Sequence, residues 1–159
     1  VGSEMCKETE ADESDGTHLE LPLYGTILTN VEIDHLDHFG TFEAIAASFD
    51  RYLSQIDGPT VLCFDDRVCR ELAQRHGSIT YGTGDGADVR AVRIEPVHGS
   101  YTFDVVAKGA LLGTVHLPLR GIHNVRNATA AIALAMAIGV PFDACAAALA
   151  RFGLSLIHI

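Results

Sequence analysis

The chain has 159 residues, of which 48% are hydrophobic and 20% charged, and a formal net charge of -10. That balance describes an ordinary globular composition able to bury one good core, either a single domain or a piece of a larger enzyme. The acidic excess and the lack of any Lys/Arg cluster argue against a nucleic-acid surface. No apolar run is long enough to cross a bilayer, and no signal peptide with a basic start is present.

Residues 1 to 18 are acidic and poorly patterned. Within them "TEADESDG" (9–16) sets Glu10, Asp12, Glu13 and Asp15 close together, and such carboxylates repel unless water or a cation screens them. A helix–loop–helix calcium loop is ruled out. With Gly16 at its sixth position, Ala11 falls at the first and Pro22 at the twelfth, where acidic ligands are required. A solvated acidic segment and one wall of a magnesium site both stay open.

"YGTILTN" (24–30) reads as a short buried strand ending in the polar pair Thr29–Asn30, and the turn-like "VEIDHLDHFG" follows. An amphipathic helix comes next, with Phe42, Ile45, Ala46, Phe49, Tyr52, Leu53 and Ile56 on one face. "GPTVLCFDD" (58–66) is a second strand, "RVCRELAQRHG" a helix stopped by Gly77, and "SITYG" a third strand. This alternation predicts an α/β fold with a mostly parallel sheet flanked by helices. "ADVRAVRIEPV", "GSYTFDVVAKG" and "ALLGTVHLPL" alternate partially and are separated by glycine-containing turns, as in a small antiparallel β-meander. "HNVRNATAAIALAMAIG" (123–139) is an Ala-rich helix closed by Gly139, and "PFDACAAALARFG" (141–153) a second with Pro in its first turn. Cys6, Cys63, Cys69 and Cys145 show no paired spacing and read as free thiols in a reducing compartment.

In open α/β sheets ligands bind beyond the carboxyl ends of the strands. Thr29, Asn30, Asp34 and His35 stand just past the first strand, and Glu10 is separated from them only by that strand and its approach. Glu10 and His35 together, a carboxylate and a neutral imidazole, suit a magnesium ion whose other positions go to water and phosphate oxygens. Asp34 or Asp37 would then orient the imidazole from its other nitrogen. The plainer alternative is a loop histidine bonded locally. In "HNVRN", Asn124 and Asn127 are three apart at a helix start, and a carboxamide matches the paired donor and acceptor of adenine's N6/N7 edge. Equally, Asn124 would serve as a helix cap.

Taken in order, "EADESDG…ILTNVEIDHLDHFGTFEAIAASFDRYL", "VLCFDD", "TYG…ADVRA" and "LPLRGIHNVRNATAAIALAMAIGVPF" resemble the central domain of the Mur ligase family. The likeness covers residues 10 to 153, and from it 1–9 and 154–159 are expected to be divergent or non-native ends of a chain truncated on both sides. It implies a P-loop NTPase-like central domain of a bacterial cytoplasmic ligase that uses ATP and Mg2+ in peptidoglycan synthesis. In the family's alanine-adding branch the carboxylate of UDP-N-acetylmuramic acid is phosphorylated by ATP and the acyl phosphate is attacked by L-alanine. The resemblance gives Glu10 and His35 as metal ligands in the catalytic centre. It gives His123, Asn124 and Asn127 as adenine contacts, and Asn30 as a residue bordering the phosphates. Several sister ligases carry a carbamylated lysine after the metal-binding histidine. The only lysines here are Lys7 and Lys108, which agrees with the alanine-adding branch; a murein-peptide recycling ligase ranks second, because its pattern after the Asp–His pair differs from "LDHFGTF". The family's Gly–Lys–Thr phosphate loop is expected upstream of Val1, so the isolated chain is expected to be inactive.

Overall fold

The structure, a computed structural model, describes residues 23–31 and 41–152. The three apolar runs become neighbouring parallel strands: β1 (Thr26–Leu28), β2 (Thr60–Cys63) and β3 (Ile79–Gly82). Val61, Leu62 and Cys63 are all buried, as expected when helices cover both faces of a parallel sheet. β1 and β2 are shorter than the runs 24–30 and 58–66 suggest. Tyr24 is 72% exposed, and Gly25 passes against the Pro59 carbonyl, where a Cβ would lie 2.8 Å away. At the far end of β2 the two aspartates leave the sheet, Asp65 to bond Thr83 and Gly84 and Asp66 to bond the Cys69 N–H.

Helix α1 (Phe42–Ser54) begins where the Thr41 hydroxyl accepts the Ala44 N–H at 3.2 Å. Ile45, Phe49, Tyr52 and Leu53 are buried, as the periodicity predicts. The Tyr52 and Thr26 hydroxyls share a 2.8 Å hydrogen bond that ties α1 to β1. Helix α2 (Arg67–His76) is capped by Asp66, which accepts the Cys69 N–H at 2.8 Å. It ends at Gly77 in the left-handed conformation, φ 64°.

The antiparallel strands are not a separate unit. β4 (Val89–Val97) runs parallel to β3 through Tyr81↔Val89 and Gly82↔Arg90, then pairs antiparallel with β5 (Ser100–Ala107), which pairs with β6 (Ala110–Leu117). One six-stranded sheet results, in the order β1-β2-β3-β4-β5-β6. A parallel neighbour normally needs a crossover of a dozen or so residues. Here the overlap is so short that the chain climbs back only a little, and residues 83–88 suffice. Asp88 closes this loop by accepting the Thr80 N–H at 2.8 Å and its hydroxyl at 2.6 Å. Both hairpins turn on a residue–glycine pair at positive φ, His98–Gly99 and Lys108–Gly109, whose twist suits two-residue connections. At a bulge in β4, Arg93 takes φ 48° and pairs with Asp104, which also accepts from the Thr114 hydroxyl at 2.5 Å. These partners hold the Asp104 carboxyl below the usual range.

Helix α3 (Ile122–Ala137) lies across β1 to β5, and α4 (Phe142–Phe152) lies on β6. α1 and α2 touch each other and α3 and α4 touch each other. Two right-handed crossovers stepping the same way place the first pair on one face, and the second pair covers the other. Gly139 (φ 97°) ends α3: its N–H reaches the Met136 carbonyl at 3.0 Å and that of Val140 reaches Ala135 at 2.9 Å. Pro141 sits one residue before α4, and its carbonyl accepts from Ala144 and Cys145. Val125, Ala128, Ile132 and Ala133 of α3 join one core with Phe103, Val105, Val115 and Leu117 of the antiparallel strands. Among the described residues no helix is long and apolar enough to cross a membrane.

Candidate functional site

The carboxyl edge of the parallel strands gathers most of the described candidate residues. Past β1, Thr29 and Asn30 are both exposed, and the Thr29 hydroxyl donates to the Asn30 amide oxygen at 2.9 Å. Past β2 stands Asp65, and past β3 Thr83 and Gly84. The first turn of α3 reaches the same edge, because Arg126 Nε lies 3.2 Å from Asp65 Oδ2.

That turn begins at Gly121, φ 94°, and has no side-chain cap. The His123 imidazole folds back over the glycine, where an added Cβ would lie 2.4 Å from its Cε1. His123 and Asn127 are exposed and Asn124 is half-buried. The capping role open to Asn124 is not taken. Its Nδ2 donates instead to the Arg120 carbonyl at 2.7 Å, which leaves the amide oxygen and the second N–H as the groups it presents. A carboxamide oxygen, a second exposed carboxamide and an imidazole thus stand on one uncapped helix start, a donor and acceptor set that fits a purine edge.

Asp65 organises the edge. Its Oδ2 accepts the Thr83 N–H at 2.9 Å and the Thr83 hydroxyl at 2.8 Å, and its Oδ1 accepts the Gly84 N–H at 2.9 Å. Burial by itself pushes this carboxyl up. The Thr83 and Gly84 hydrogen bonds and the nearby Arg126 charge outweigh it, and the acid sits below its ordinary value. Beside it the Phe64 ring lies under Arg70, 5.1 Å from the guanidinium carbon, and against Gly84 and Gly86 of the β3–β4 loop. Sequence reasoning passed over Asp65, Thr83 and Arg126 as individual residues. The available signals were an acid directly after a buried strand and an arginine between the two asparagines.

Glu10 and His35, with Asp34 and Asp37, lie outside the described residues. Among the described residues no group of three His, Cys, Asp or Glu side chains is placed to hold a metal ion. Cys63, Cys69 and Cys145 are free and buried, and burial pushes the Cys69 thiol far up, out of nucleophilic range.

The family profile described as the Mur ligase middle domain matches residues 4–135. The chain is 43% identical over 155 residues to the UDP-N-acetylmuramate–L-alanine ligase of Bradyrhizobium diazoefficiens, covering 91% of this chain and 33% of that protein. Among solved structures, the UDP-N-acetylmuramate–alanine ligase MurC of Thermotoga maritima aligns with a TM-score of 0.78 and 26% identity, over 89% of this chain and 32% of that one. The MurF ligase of Thermotoga maritima, solved in complex with ADP, aligns with a TM-score of 0.68 and 24% identity over 82% of this chain and 31% of that one, a likeness of fold. The chain spans about a third of the length of the curated relatives it matches.

Proposed function

The chain belongs to the Mur ligase family, as its middle domain, and from that premise we propose that it is the nucleotide-binding core of a bacterial cytoplasmic ligase joining L-alanine to UDP-N-acetylmuramic acid. The observation that carries this reading is the 43% identity with an alanine-adding ligase over 91% of the chain. The absence of lysine from α1 agrees with it.

In this reading ATP phosphorylates the lactyl carboxylate of UDP-N-acetylmuramic acid. The amine of alanine then attacks the acyl carbon and phosphate leaves as the amide forms. His123, Asn124 and Asn127 take the adenine edge, and Asn30 borders the phosphates. Glu10 and His35 would hold Mg2+, which would supply positive charge to offset that of the transferring phosphoryl group. The described part of the chain contributes by positioning Asn30, His123, Asn124 and Asn127 on one sheet edge.

The test is a phosphate-release assay on a full-length ligase carrying this domain. Release should require ATP, UDP-N-acetylmuramic acid and L-alanine together. Glu10→Ala and His35→Ala should each lower turnover by about 100-fold or more. Wild-type turnover in both variants rules out their metal role, and a peptide that replaces alanine as the better acceptor points to the recycling ligase instead.

A further inference from the structure

We propose that Asp65 is a positioning residue for the nucleotide, one that ties the uncapped first turn of α3 to the sheet edge and so sets the place of Asn124 and Asn127. The inference rests on the reading of "HNVRN" as the adenine contact.

Three observations meet at this side chain. First, its carboxylate, 16% exposed, is shared among three elements: it follows β2, accepts three hydrogen bonds from Thr83 and Gly84 after β3, and faces Arg126 on α3. Second, α3 has no side-chain cap, so its first turn is not fixed by the local device that sets α1 and α2. Third, successive helix residues are about 100° apart, which puts Asn124 and Arg126 on opposite flanks of Val125 and turns Asn127 outward. Val125 is fully buried, Asn124 and Arg126 are half-buried and Asn127 is exposed, as that arrangement requires.

Val125 packs into the core, and with Ala128, Thr129, Ile132 and Ala133 it fixes the body of the helix, so polar contacts are left to set the uncapped turn around it. A displacement that lifts this first turn from the sheet edge separates Arg126 from Asp65. The ion pair with Asp65 opposes it, whereas the Asn124–Arg120 hydrogen bond is internal to the turn and keeps the amide's orientation within it. Asp65 is itself immobilised by Thr83 and Gly84. The close approach of that loop depends on glycine: a Cβ at Gly82 would lie 2.8 Å from Asp65 Oδ1, and one at Gly84 3.1 Å from it. The buried Arg126 Nε has no hydrogen-bond partner, so it is the charge of this already rigid carboxylate that holds it.

The experiment is steady-state kinetics of a full-length ligase carrying Asp65→Asn, Arg126→Gln, or both, with each of the three substrates varied in turn. Asp65→Asn should raise the KM for ATP by about tenfold or more, while the KM values for UDP-N-acetylmuramic acid and L-alanine stay within about twofold. Arg126→Gln should raise the ATP KM in the same selective way. The double variant should be little worse than Asp65→Asn, because both changes break one link. A purely structural role would lower kcat with the folded fraction and leave all three KM values alone. If Asp65→Asn fails to fold, the half-exposed Arg126 still decides: an unchanged ATP KM in Arg126→Gln overturns the proposal. A wild type that turns over with ATP while both variants keep its KM overturns this inference alone. A wild type that needs no ATP sinks the functional reading as well.

Discussion

Asp65 couples proton binding to folding with a definite sign. Its folded pKa lies below the ordinary carboxylate value, because the Thr83 and Gly84 donors and Arg126 outweigh burial. The charged form is favoured in the folded state, so the resulting stability is fully present above the unfolded pKa. It is lost as pH falls through the folded one. Urea midpoints measured at about pH 6 and about pH 3 should therefore converge between wild type and Asp65→Asn. Asp104 shifts in the same direction in both proteins, so it cancels from the difference. A gap that stays constant between the two pH values would mean that Asp65 is not preferentially ionised by the fold. Asn124 carries a different lesson at this scale. Its type and spacing allowed either a cap or a ligand contact, and only the position of the Arg120 carbonyl decided how the amide points. Gly121 is similar: nothing in the sequence shows that an imidazole will fold back over it.

Helix α2 shows how much an element owes to its ends. Asp66 supplies the N-cap and Gly77 the left-handed exit, both legible as residue types flanking an amphipathic run. Asp66→Ala should cost about 1 kcal/mol of stability through the lost cap. Gly77→Ala should cost about 1 kcal/mol, and for a different reason. Nothing lies within 4 Å of a Cβ there, so the loss is backbone strain without a clash. Gly77→Asn should recover part of it, because asparagine tolerates the left-handed region. Urea denaturation of the three variants checks this, and an alanine at 77 as stable as glycine contradicts the strain account. β4 marks the limit of such reading. Its alternation identified a strand, yet periodicity records which side chains share a face and not which strand lies alongside. The parallel join to β3 depends on a short overlap and on the Asp88–Thr80 clasp, and neither is a periodic feature.

For the molecule as a whole, the functional reading makes a demand on the 159 residues themselves. They contain no Gly–Lys–Thr phosphate loop, and the groups proposed for adenine are few and lie at one edge. Without a lysine and a backbone cradle for the β- and γ-phosphates, ATP should bind this chain no more tightly than about 1 mM. Isothermal titration tests this directly, and micromolar binding would show that the described edge holds the nucleotide with help from elsewhere in the chain. The alignment with alanine-adding ligases reaches across almost the whole chain but only about a third of each relative. Substrate choice and turnover are accordingly matters for the full-length enzyme.

The sequence by itself determined the kinds of element, their order and the buried faces, because burial imposes a period that each segment carries locally, and its ordered motifs carried the resemblance to the family. Tertiary structure alone decided that the meander continues the parallel sheet, that Asn124 is not a cap, and that Asp65 meets Arg126. Those contacts join residues far apart in the chain. Their geometry is set by how strands stack and helices roll, which leaves no repeating mark in a local pattern.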